Sequence, residues 1–413
     1  MSYGTEKIKQ TFSSLKIRNY RLYFVSQAIS TTGTWMQAIG QSWLVLTLTN
    51  SGTALGFTVA LQFLPTLLFG PWFGVFVDNF SKRKILYITQ SISGILALIL
   101  GILVITNSVQ LWMIYILALC FGITNALDSP TRQTFTHELV GKKNIFNAIS
   151  LNSIQINLTR VVGPMIAALL IASFGLAPLF FYNAFSFLAV IISLSMMDIS
   201  KLHIHPPTNK IRGQLTEGVR YIRSSPVIWT VLLMMAIVGM FTYEFATTLP
   251  LVAKFTFKGD ASTFASLTSA LGVGSVLGSV YTANSGKATI YRFIRTSFIF
   301  GFFVTLFSLA PSIFVALIIA VFLGFFSINF INLGSVILQM ESSPEMRGRV
   351  MSFWTVAFLG TTPIGGPLVG WISQQYSPRW ALAVGGIAAV LAGFIGLYVI
   401  KSRLEKQKSI VVE

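Results

Sequence analysis

Charge is what this sequence has least of. Only 10% of its 413 residues are Asp, Glu, Lys or Arg, where soluble domains carry about a quarter. A chain that is 54% hydrophobic, with a mean hydropathy of +0.74, must bury most of its surface in lipid. Cysteine is nearly absent: Cys120 stands alone inside an apolar run, so no disulfide framework exists and the redox compartment is not encoded. Histidine is scarce too. His137, His203 and His205 are placed in loops without metal-ligand company, so no metal or cofactor site is expected. The stretch "SGKAT" around Lys287 lacks the upstream glycine of a phosphate loop, which leaves ATP drive without support. The first twenty or so residues are polar and basic. No short apolar segment with a small-residue cleavage site follows, and no removable signal peptide is expected.

What is present is long apolar runs. A spanning helix needs roughly 17 to 25 mostly apolar residues, and twelve such runs fit the chain. They cover about 21–47, 53–78, 84–106, 110–131, 146–173, 177–197, 227–251, 261–284, 292–310, 312–338, 350–374 and 379–400. The net charge of +17 would point to nucleic acid only as a basic stripe on a soluble fold. Here it is an orientation signal. With both termini cytoplasmic, every Lys and Arg falls on the inner side except Lys254, Lys258 and Arg379 outside and Arg160 within a span. The expectation is therefore an all-α, multi-pass cell-membrane protein of twelve transmembrane helices.

The longest loop divides the spans six and six. The predicted domains are 1–197, a cytoplasmic linker over 198–226, and 227–413. Inside the linker, "RGQLTEGVRYIRSSP" puts Leu215, Val219 and Ile222 on one face of a short amphipathic helix. Adding 203 to Gly163-Pro164 gives Gly366-Pro367, and the same offset takes Glu138 to Glu341. A shared offset argues for duplicated six-span halves, a transporter design with substrate held near the midplane.

Twelve spans, a central loop and "GVFVDNFSKRK" between spans 2 and 3 resemble the major facilitator superfamily over essentially the whole length. Gly74, Asp78, Lys82, Arg83 and Lys84 fit that family's loop pattern, whereas Asn79 and Ser81 replace its usual basic residue and glycine. The resemblance implies a cytoplasmic latch in which Asp78 meets span 11 and Arg83 helps to hold the contact. A narrower resemblance, carried by "RNYRLYFVSQAISTTGTWMQAIGQSWLVLTLTNS" and "NAISLNSIQINLTRVVGP", is to the subgroup of macrolide efflux proteins and enterobactin-type siderophore exporters. Gly163-Pro164 with Ala167-Ala168 is similar to part of the span-5 antiporter motif. This resemblance implies efflux of a drug or metabolite by proton antiport.

Several polar residues inside spans are candidates for the work itself. Gln27, Ser30, Thr34, Gln37 and Gln41 share one helical face of span 1 and are read as lining a hydrated cavity, with hydrogen bonding between helices as the alternative. Ser150, Ser153, Asn157 and Arg160 repeat the pattern in span 5. A charge such as Arg160 deep in a span costs roughly 2.5 to 3.5 kcal/mol on insertion scales and needs a carboxylate, an anionic substrate or water. Glu244 is the acid deepest in a span, either a proton carrier or an outer-gate charge. Asp128 is the second proton-coupling candidate, although a local pair with Arg132, four residues on, is the simpler account. Asn329 and Asn332, with Ser335, are candidates for the cavity wall in span 10. Ala270, Gly274 and Gly278 suggest close helix packing in span 8.

The reading is a monomeric, non-enzymatic exporter of a small amphiphilic organic compound, exchanging it for protons by alternating access. Nucleic acid is not a partner; membrane lipid is. A lipid or lysolipid flippase of the same fold is the alternative. A membrane receptor or enzyme would need clustered histidines and carboxylates or a soluble domain, and has neither. If Asp78 latches the inner face, Asp78→Asn is expected to cut transport, leave insertion intact and raise cytoplasmic labelling of Thr34→Cys. Unchanged labelling with normal transport would reduce "GVFVDNFSKRK" to a topology signal.

Overall fold

Helices follow one another with short turns throughout the computed structural model, which describes residues 13–203, 214–343 and 346–412. Among the described residues there is no strand. Span 1 is the helix Arg18–Thr49, span 2 Gly52–Asn79, span 3 Lys82–Ile105, span 4 Leu111–Gly141, span 5 Asn147–Phe174 and span 6 Ala177–Ser195. Spans 7 to 12 are Pro226–Thr256, Ala261–Asn284, Ile290–Ser308, Ile313–Glu341, Arg347–Gln375 and Pro378–Val412. Eleven of these are long and apolar enough to cross a membrane. The exception is span 1. Its 32 residues reach roughly 48 Å at 1.5 Å per residue, but a polar face lowers its hydropathy.

Three boundaries differ from the sequence reading, one of them that of span 12, whose helix runs on to Val412 instead of ending near 400. Span 4 continues to Gly141 instead of stopping near 131, because Pro130 sits within the helix without ending it. In a membrane helix, neighbouring helices and Ser/Thr hydroxyls can satisfy the backbone groups a proline frees. The chain turns at Gly141, whose φ of 66° suits glycine. The His203 ring lies 3.0 Å from where a Cβ on Gly141 would stand. His137 consequently lies on span 4 and not in a loop. Span 7, expected to end near 251, extends through a π-helical turn, Val252–Thr256.

The chain clusters into two compact units, residues 1–44 with 68–209, and residues 45–67 with 210–413. In the first unit, spans 3, 4 and 6 pack together around a core that includes Tyr20, Leu86, Phe135, Leu139 and Leu194. Arginine side chains close exposed helix ends, where backbone carbonyls lack partners. Arg83 donates twice to the Leu194 carbonyl, at 2.9 and 2.7 Å, and Arg18 to that of Met196 at 3.0 Å. Lys82 pairs with Glu138 at 3.7 Å. Two of the three basic residues of "SKRK" thus fasten spans 3, 4 and 6 to one another. Lys84 is exposed.

In the second unit, spans 8 and 10 meet backbone to backbone. A Cβ on Gly274 would collide with the Val321 carbonyl oxygen, and one on Gly324 with that of Leu271. The linker contains a helix, Gln214–Ser224, and it docks within this unit. Ile222 is buried, the Ser343 N–H donates to the Tyr221 hydroxyl at 3.0 Å, and Arg349 pairs with Glu217 at 2.6 Å. The side chain of Leu215, and residues 204–213 with His205, lie outside the described residues. Asp260 caps span 8. Its hydrogen bond from the Thr263 backbone N–H holds its carboxyl below the usual carboxylate range.

Overpacking a core costs about 1 to 3 kcal/mol, and a side chain forced into a carbonyl has nowhere to go. Gly324→Leu is therefore expected to lower the thermal midpoint of the purified protein in detergent. Gly348→Ala, where an added Cβ meets nothing within 4 Å, should leave it unchanged. Equal midpoints for both variants would mean that spans 8 and 10 do not approach this closely.

Candidate functional site

Spans 1, 4 and 5 of the first unit enclose a recess of about 580 Å³, within the size range of small-molecule sites. Span 1 contributes Tyr23, Gln27, Thr31, Thr34 and Trp35 to the wall, span 4 Ser129, Arg132, Gln133, Thr136 and His137, and span 5 Asn152, Ser153 and Gln155 among others. Three of the predicted cavity residues, Gln27, Thr34 and Ser153, meet here. Seven others do not.

The polar arc of span 1 divides between two neighbours. At 3.6 residues per turn, Gln27 and Thr34 lie within about 20° of each other, whereas Gln37 is about 80° further round. Gln37 accepts a hydrogen bond from the Asn183 amide of span 6 at 2.8 Å, and Ser26 bonds Ser193 at 2.9 Å. This edge of the face joins two helices and does not line the recess. Ser30 is buried and Gln41 half-buried, and neither reaches the recess.

On span 5 the Asn157 amide bonds its own helix at the Ser153 carbonyl, 2.9 Å away. Arg160 stacks over the Trp35 ring at 5.3 Å, and Gly163 presses on Trp35 from span 5, where a Cβ would stand 2.6 Å from the Trp35 Cβ. Arg160 is thus one side chain removed from the recess. Pro164 lies within the span-5 helix. In the second unit, Asn329 bonds Thr282 and the Phe325 carbonyl, joining spans 10 and 8, while Asn332 is half-buried. Gly74 and the side chain of Asp78 lie outside what is described.

Asp128 is buried behind the recess wall. It accepts from the Thr89 hydroxyl at 2.7 Å and the Gln90 amide at 2.8 Å, both on span 3. Its other oxygen receives Arg132 Nε at 2.7 Å. The guanidinium then extends into the recess and donates to Gln27 Oε1 at 3.3 Å. Sequence reasoning passed over this polar face of span 4. Residues 129, 132, 133, 136 and 137 follow the i, i+3, i+4, i+7, i+8 spacing of one helical face. The signal was readable once the helix was carried past 131.

Glu244 belongs to the second unit and is 2% exposed. It stands where span 7 breaks between the helices Pro226–Phe241 and Phe245–Leu251. Thr242 bonds the Gly385 carbonyl at 2.7 Å and Tyr243 that of Ser327 at 2.6 Å, so both residues before Glu244 are tied to other spans. The Thr362 hydroxyl neighbours its carboxylate, and Oε1 has no hydrogen-bond partner. The carboxylate rests on span 11. A Cβ on Gly365 would lie 2.8 Å from Oε1, and one on Gly366 3.5 Å from Oε2. Among the described residues no group of His, Cys, Asp and Glu could hold a metal.

Comparison with known proteins places this architecture. The profile of the family described as Transmembrane secretion effector matches residues 9–412. The chain is similar to the Staphyloferrin A transporter of Staphylococcus aureus, 24% identical over 399 residues that cover 94% of this chain and 98% of that protein. It is 23% identical to the Enterobactin exporter EntS of Salmonella typhi over 387 residues, 92% of each. Among solved structures it matches the POT family transporter PepTSo with a TM-score of 0.74, at 13% identity over 94% of this chain and 98% of that one. The nucleoside transporter NupG matches with a TM-score of 0.71, at 14% identity over 94% and 99%. The likeness to those two structures is one of fold alone.

The recess predicts a pattern of solvent access. With Cys120 replaced by serine, Thr34→Cys and Ser153→Cys are expected to react with a membrane-impermeant maleimide. Gln37→Cys and Asn329→Cys should resist until the protein is denatured. Reaction of Gln37→Cys as fast as Thr34→Cys would place the recess on the wrong edge of span 1.

Proposed function

The chain belongs to the transmembrane secretion effector family of the major facilitator superfamily, and on that premise we propose that it exports a small amphiphilic organic compound in exchange for protons. The relatives whose names specify siderophores support a siderophore-like metabolite as cargo, with drugs or macrolides as the wider class. The recess of spans 1, 4 and 5 receives the cargo, and alternating access carries it across. Both termini face the cytoplasm of the cell in which the protein works as a monomer, and Asp78 acts in the latch.

One observation carries the proton coupling: the buried Glu244 carboxylate with an uncommitted oxygen. An antiporter needs a group that releases a proton on one side and recovers it on the other. Asp128 suits that task less, since both its oxygens are engaged by Thr89, Gln90 and Arg132. The glycines beside Glu244 leave room for the carboxylate between spans 7 and 11. A change of its charge there acts directly on helix packing, because an uncompensated charge in an apolar setting is costly.

Glu244→Gln keeps the shape and cannot release a proton. In proteoliposomes it is expected to abolish efflux driven by a pH gradient, while downhill substrate exchange survives. If the variant still couples protons, Glu244 is an outer-gate charge. If the parent protein moves substrate with no proton movement, antiport itself is refuted.

A further inference from the structure

One corner of the recess has more hydrogen-bond donors than acceptors. Arg132 carries five N–H groups in a planar fork, of which Nε serves Asp128 and one on Nη1 serves Gln27. The buried Gln27 amide nitrogen faces the Tyr23 hydroxyl, and neither has a hydrogen-bond partner beyond the other. All three side chains line the recess. Buried donors left without acceptors are costly, and a protein retains them where something else supplies the acceptors.

We propose that Arg132, Gln27 and Tyr23 form the anion-gripping corner of the cargo site, selecting a cargo by a negatively charged oxygen group, a carboxylate or a catecholate. The inference deepens the transport reading and rests on the recess being the cargo site. It is independent of how transport is driven. Arg132 touches the cargo. Asp128 is a positioning residue that acts through it: anchored to span 3 by Thr89 and Gln90, it fixes Nε and so aims the remaining N–H groups into the recess. Guanidinium geometry suits this task, because its parallel donors meet both oxygens of a carboxylate or the adjacent oxygens of a catechol. The nearby exposed Lys84 does not line the recess.

The test is equilibrium binding to the purified full chain in nanodiscs, with no ion gradient. The probes are two ligands and their methylated, uncharged counterparts: citrate with trimethyl citrate, and 2,3-dihydroxybenzamide with 2,3-dimethoxybenzamide. The parent protein is expected to bind at least one ligand about tenfold or more tighter than its methylated counterpart, as bidentate charge-assisted hydrogen bonds allow. Which ligand shows the preference distinguishes a carboxylate from a catecholate cargo. Arg132→Gln should erase the preference, and Arg132→Lys should keep part of it. Lys84→Gln should leave it intact. Asp128→Asn should weaken binding of that ligand in the parent and add nothing in the Arg132→Gln background, which a general loss of folding would not reproduce. No preference in the parent, or an undiminished preference in an Arg132→Gln protein with the parent's thermal midpoint, overturns the proposal. An additive loss from Asp128→Asn overturns its positioning role. Failure of proton coupling at Glu244 would leave all of these outcomes unchanged.

Discussion

Lipid offers no hydrogen bonds, so each polar group within the spans must find its partner inside the protein or in water held by it. This constraint governs both the fold and the candidate site. It makes helices the only economical way to cross, and it turns each polar side chain within a span into a statement about what lies beside it. Gln37 meets Asn183, Ser26 meets Ser193, and Thr242 meets the Gly385 carbonyl. These bonds join helices. Several groups do not comply, among them Gln90 Oε1, Thr247 Oγ1, Ser279 Oγ, the Gln27 amide, the Tyr23 hydroxyl and Glu244 Oε1, and function is assigned here to the last three.

Helices of similar apolarity gain little from hydrophobic attraction to each other in lipid, so close packing and hydrogen bonds must hold them together. The glycines of spans 8 and 10 serve the first need by letting backbones touch. The arginines at helix ends serve the second. Arg83 closes span 6, and Arg379 closes span 9 by donating to the Ser308 and Ala310 carbonyls at 3.0 and 2.7 Å. Basic residues at helix ends thus fasten helices to one another, because the last carbonyls of a helix lack partners of their own.

The two units deal with buried acid differently. In the first, Asp128 is surrounded by donors and directs an arginine. In the second, Glu244 sits at a helix break against glycines with one oxygen uncommitted. The difference follows from neighbours and not from depth in the span. Span 3 brings a threonine and a glutamine to Asp128, whereas span 11 brings Thr362 and two glycines to Glu244.

The sequence by itself determined the membrane class and the helical crossings, with edges correct to a few residues except in span 4, where Pro130 concealed ten further residues, and in span 12, whose helix continues to Val412. Apolar length, basic clustering and helical periodicity are local properties, and each survives without knowledge of neighbours. It also marked span 1 as polar along one face, and Glu244 as the acid deepest in any span. Which edge of that face meets span 6 and which meets the recess was decided only by tertiary structure, because residues about 80° apart on one helix can touch different partners. The same holds for Arg132. As an i,i+4 partner of Asp128 it reads as a local pair. Only the arrival of Thr89 and Gln90 behind the aspartate, and of Gln27 beside the guanidinium, turns that pair into a donor aimed at a cavity. Such a donor set is assembled from spans 1, 3 and 4, and no window of sequence contains it.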